Sequence, residues 1–156
     1  MAGNYIAVDP TLQVVYYSVL QAGTDDIFRV PYRTPNVTPT RVYSVATTNP
    51  EIRVISIPGR GFAGVYGATL VRGFPNGTSL IIAGTPMPAG YTRDANLIAY
   101  NPVNDTIFWY LYTSWSNPTG SYLLEIPSDG NGGTINQNTT QYVLWANTCT
   151  SSVFKL

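Results

Sequence analysis

The chain has 156 residues, 44% hydrophobic and 13% aromatic, with a formal net charge of zero and only 10% charged residues. That length and apolarity fit one folded domain and exclude a disordered chain. Seven arginines and Lys155 are offset by eight acids, which excludes the one-sided cationic patch that nucleic acid requires, and no apolar run reaches the ~20 residues of a membrane helix.

In chain order, residues 4–8 read as a short strand turned by Asp9-Pro10. Residues 12–20, rich in Val and Tyr, read as a second, and Ile27 to Val30 as a third that Pro31 stops. Thr34 to Pro39 is irregular, and Arg41 to Ala46 alternates as a fourth strand. The stretch 50–92 is less regular. Ile52 to Ile57 alternates into Pro58, Gly64 to Leu70 and Thr69 to Arg72 pair around Gly67, and the turn Phe74-Pro-Asn-Gly77 leads into Ser79 to Ala83. Residues 97–100, a turn at Asn101-Pro102, 106–112, 122–126 stopped by Pro127, and 141–146 then repeat the order of the first third. Ile107 to Tyr112 is continuously apolar, so both faces of its sheet want cover. Gly and Pro together supply 26 residues and break any helix, so the class is all-β. The expected organisation is a single domain, 1–156, with a repeated four-stranded antiparallel unit at 4–46 and 96–146 flanking an irregular β segment at 50–92.

Ala7-Val-Asp-Pro10 with Val15-Tyr-Tyr17, Ala99-Tyr-Asn-Pro102 with Phe108-Trp-Tyr110, and Phe74 to Ile82 resemble β-propeller blades. They are similar to the kind in which an apolar-x-Asp-Pro turn precedes a Leu-Tyr-Trp strand. A blade takes about 40–45 residues, so the resemblance implies three to four, against a usual minimum of about four for a closed ring. An incomplete propeller-like array, or alternatively an immunoglobulin-like or jelly-roll β-sandwich, would have open edges that favour oligomers.

Chemistry-bearing motifs are few. Gly59-Arg-Gly61-Phe-Ala-Gly64 has dinucleotide-loop spacing, but strand-like text follows it and no acid lies at 75–90, so it reads as a bend or a close chain crossing. There is no histidine and one cysteine, Cys149, which removes the usual general base, zinc ligation and an intrachain disulfide. Asp25, Asp26, Glu51, Asp94, Asp105, Glu125 and Asp129 mostly lie in turns, where Asp serves its own backbone. No catalytic residue, metal or cofactor is therefore expected. Trp115, in the polar loop Ser114 to Asn117, is the first candidate for a ligand platform and Tyr91, Tyr122 and Tyr32 are lesser ones, because a ring with a polar rim suits a sugar face. Glycosylation sequons stand at Asn36, Asn76, Asn104 and Asn138.

The opening Met1 to Tyr5 lacks a secretory leader's basic and apolar regions. The expectation is a virion protein freed by lysis, a processed mature form or a fragment. The sequence points to a non-enzymatic structural subunit of an extracellular assembly, on a virion surface or in a filament. Its partners would be further copies or other subunits of the same particle, with no nucleic acid and no membrane insertion. The alternative is a carbohydrate-binding adhesion module that meets glycans through loop Trp and Tyr.

Overall fold

A computed structural model describes residues 5–46, 52–66, 69–84, 97–112, 121–129 and 142–147. Every regular element among them is a strand. The first sheet contains β1 (Ile6–Asp9), β2 (Val14–Gln21), β3 (Thr24–Pro31) and β4 (Thr40–Ala46). The second contains β5 (Arg53–Ile57), β6 (Gly61–Tyr66), β7 (Thr69–Gly73) and β8 (Ser79–Gly84). The third contains β9 (Leu97–Asn101), β10 (Thr106–Tyr112), β11 (Ser121–Pro127) and β12 (Tyr142–Asn147). Each is an antiparallel meander in sequence order. The segment expected to be irregular, 50–92, thus supplies a sheet of the same order as its neighbours. Three sheets stand where a sandwich would have two.

The register aligns the three meanders residue by residue. Asp9 opposite Val14, Ile57 opposite Gly61 and Asn101 opposite Thr106 close the first hairpin of each sheet. Proline follows all three, as Pro10, Pro58 and Pro102. In the first and third sheets the four-residue turn ends in a left-handed residue, Gln13 at φ 56° and Asp105 at φ 55°. The second sheet uses a shorter turn with Gly59 at φ 74°. These turns are where the sequence signals were clearest, because proline fixes φ and ends strand pairing.

Two apolar cores lie between consecutive sheets. Val14, Tyr16 and Ile27 of the first sheet bury against Ile52, Val54, Phe62 and Val71 of the second. Ile57, Ala63, Val65 and Leu70, on the opposite face of the second sheet, bury against Ile107, Trp109 and Ile126 of the third. The middle sheet is therefore covered on both sides, and the first strands β1, β5 and β9 run as neighbours. Trp109 is fully buried; Phe108, which alternation points the other way, is only half-buried.

The glycines that blurred the middle sheet in sequence mark close approach. A Cβ on Gly73 would sit 2.0 Å from the Phe62 ring, and one on Gly61, at φ 106°, would meet the Gly73 carbonyl oxygen at 2.2 Å. Phe62 is 1% exposed and has nowhere to swing. Gly73→Ala is expected to lose about 3 kcal/mol in urea unfolding through overpacking. Gly77→Ala, with open space around it and φ 87°, should lose only the left-handed backbone penalty of about 1–2 kcal/mol. Equal losses at the two positions would contradict the packing assigned to Phe62.

Candidate functional site: sheet interfaces and an open face

The chemistry of this fold lies between its sheets, where polar groups from the hairpin turns cross from one sheet to the next. Asp9, fully buried, accepts from the amides of Thr11 at 3.0 Å and Leu12 at 2.9 Å, which closes its own turn. Its carboxylate also accepts from the Gly59 amide in the next sheet's turn, at 3.1 and 3.0 Å for its two oxygens. The turn after that repeats the device with other groups. Arg60 donates to Asp105, which also accepts from the Ser128 hydroxyl and, at 2.9 Å, from the Tyr100 hydroxyl. Three donors favour the ionised form, the Ser128 hydroxyl first and Arg60 next, and hold the Asp105 carboxyl down to about 2 from an ordinary 3.8.

A second bridge uses arginine. Arg29 in β3 and Arg72 in β7 occupy the same register place, opposite Tyr16 and Ala63 respectively. Arg29 donates to the Pro75 carbonyl of the second sheet at 2.7 Å, and Arg72 donates through Nε to the Ser128 carbonyl of the third at 2.9 Å. Arg72 is fully buried, and no carboxylate among the described residues forms an ion pair with it. Three of its other N–H groups donate to the carbonyls of Phe62 at 2.8 Å, Arg60 at 2.7 Å and Gly73, and its guanidinium lies 4.7 Å from the centre of the Phe74 ring. Burial, reinforced by the Arg60 charge, lowers the guanidinium to about 10, so it stays charged at neutral pH. Fixed carbonyl dipoles solvate it in place of water. At the rim of the first interface, the hydroxyls of Tyr43 and Tyr66 meet at 2.8 Å.

One apolar surface has no such cover among the described residues. The face of the first sheet turned away from the second carries Ile6, Val8, Val15, Tyr17, Phe28 and Val30. Ile6 is 71% and Val8 54% exposed. The other four are half-buried, and the Tyr17 and Phe28 rings stack at 5.6 Å. Soluble monomers seldom leave a contiguous face of this kind open.

Of the sequence-predicted ligand residues, Tyr32 and Tyr122 fall among the described residues, at different sheets. Tyr32 follows β3, 42% exposed, with the Arg33 guanidinium 6.0 Å from its ring centre. Tyr122 belongs to β11, opposite Leu111 in β10. Trp115, Tyr91 and Asn138 lie outside the described residues. The sequon residues Asn36, Asn76 and Asn104 are exposed in turns or loops. Asn76 accepts from the Thr78 amide at 3.0 Å and its hydroxyl at 2.7 Å, and Asn36 takes φ 59°. Sequence reasoning missed Asp9, Arg72 and Asp105 as anchors; only the repeated Asp-Pro and Asn-Pro turns hinted at the first. Among the described residues no three of His, Cys, Asp and Glu cluster. No protein-family model matches the chain, and no curated protein matches it.

Two outcomes follow from this geometry. Arg72→Met strands several buried carbonyls and should lose about 3 kcal/mol or more in chemical denaturation. Its counterpart Arg29→Met, at an exposed contact, should lose less than about 1 kcal/mol; equal losses would refute the bolt assigned to Arg72. Asp105 titrates below its ordinary value in the folded state. Its contribution is therefore complete above about pH 4 and fades as pH falls through about 2. The side chain is 44% exposed, so solvent screens that contribution and keeps it small. The stability gap between the unsubstituted chain and Asp105→Asn, measured by urea unfolding, should narrow across that window. A gap independent of pH would remove the carboxylate's role.

Proposed function

We propose that the chain is a non-enzymatic structural subunit of an extracellular assembly, a virion surface component or filament protomer, which works by docking sheet on sheet. The observation that carries this reading is the open apolar face of the first sheet, several of whose register counterparts in the second and third sheets are buried. Val15 corresponds to Phe62 and Ile107, and Phe28 to Val71; all three counterparts are 1% exposed or less.

The three stacked meanders, with first strands side by side, support a propeller-like arrangement of blades. The near-neutral composition supports the same reading, because a chain with only 10% charged residues has few ions to desolvate on docking. Sedimentation equilibrium at tens of micromolar is expected to show association of the purified chain. A monomer throughout that range would overturn the proposal.

A further inference from the structure

We infer that the open face of the first sheet is covered by the third sheet of a second copy, head to tail, so that two copies close a ring of six sheets. This rests on the assembly reading above and adds the partner and the contact.

The template for the contact is already built twice within the chain. In both internal interfaces, one face of a sheet meets the opposite face of the sheet that follows. The leading face carries Tyr16 in the first sheet and Ala63 in the second, both buried. The trailing face carries Phe62 with Val54 and Val71 in the second sheet, and Ile107 with Trp109 and Ile126 in the third. By register the first sheet presents the same trailing set as Val15, Ile6 and Phe28, with Tyr17 at the Trp109 place and Val30 at the Ile126 place. The third sheet's leading face carries Phe108, half-buried, at the Tyr16 place, and Ala99, exposed, paired with it. Each end of the array thus displays the half of the interface that the other end lacks.

Such a contact is heterologous, and repeated addition gives either a closed ring or an open fibre. Propellers close with about four to eight blades. Whole copies of a three-sheet chain meet that range only as a pair. The polar bridge also changes at this junction. Register puts Glu125 at the place of Arg29 and Arg72, while the place of the acceptors Pro75 and Ser128 is held by Tyr32, followed by Arg33. By register, an acidic residue stands at one end and a basic residue next to the matching place at the other, where the internal interfaces pair guanidinium with carbonyl. This sets the junction between copies apart from those within one.

Two full-length variants test this, each blocking one end: Ile6→Asp with Val8→Asp on the first sheet, and Phe108→Asp on the third. Unsubstituted chain should sediment at twice the 17.0 kDa chain mass. Each variant alone should be monomeric, with the circular dichroism of the parent. Mixed in equal amounts, they should pair through their intact ends, at least about tenfold more weakly than the parent because one junction remains blocked. Should Phe108→Asp unfold, Ala99→Asp blocks the same face from an exposed place. If the parent associates but the mixed variants do not pair, the head-to-tail contact is overturned and the assembly reading survives. A parent pair unaffected by either variant overturns it equally. A monomeric parent overturns both.

Discussion

Two-sided apolarity is the constraint on which the structure depends. A sheet with Ile107 and Trp109 on one face and Phe108 on the other cannot be satisfied by one layer, and the same is true of Phe62 and Val65 in the middle sheet. Stacking in series resolves this for every interior face, at roughly 1.5–3 kcal/mol for each large side chain fully buried. Among the described residues it leaves the outer face of the first sheet without cover. The exposed Ile6 and Val8 are what remains of that arithmetic.

Apolar packing alone would let the sheets slide or rotate over one another. The polar bridges fix the stagger. Asp9 ties one hairpin turn to the next through the Gly59 amide, and Asp105 does the same through Arg60. Buried Arg72 gathers carbonyls from β6, from the adjoining turn and from Ser128 of the third sheet, so it is satisfied in only one placement. A buried charge of this kind contributes more to specificity than to net stability, because its desolvation offsets much of what its hydrogen bonds return. The two arginine bridges, Arg29 to Pro75 and Arg72 to Ser128, are directional, donor on one sheet and acceptor on the next, and that directionality underlies a head-to-tail reading of the ends.

The paired residues also explain why the repetition is imperfect. Tyr16, Ala63 and Phe108 share one place, and Tyr17, Gly64 and Trp109 another. Within the second sheet Gly73 yields to the Phe62 ring on the paired strand, and Gly64 leaves room for Ile52 and, across the interface, for Ile27 of the first sheet.

What the sequence by itself determined is the strand class, the hairpin turns and the order of the terminal sheets. Those signals are local: proline stops a strand wherever it stands, and alternation of Val and Tyr reports a pleat without reference to anything distant. The second sheet was hidden because Gly61, Gly64 and Gly73 dilute its alternation, and their purpose is visible only against Phe62 and the neighbouring sheet. Arg72 reads as a surface cation and Asp105 as a turn former until chain segments up to 56 positions apart converge on them. Only tertiary structure decided which faces are covered, since cover comes from sheets remote in sequence and no local pattern records it.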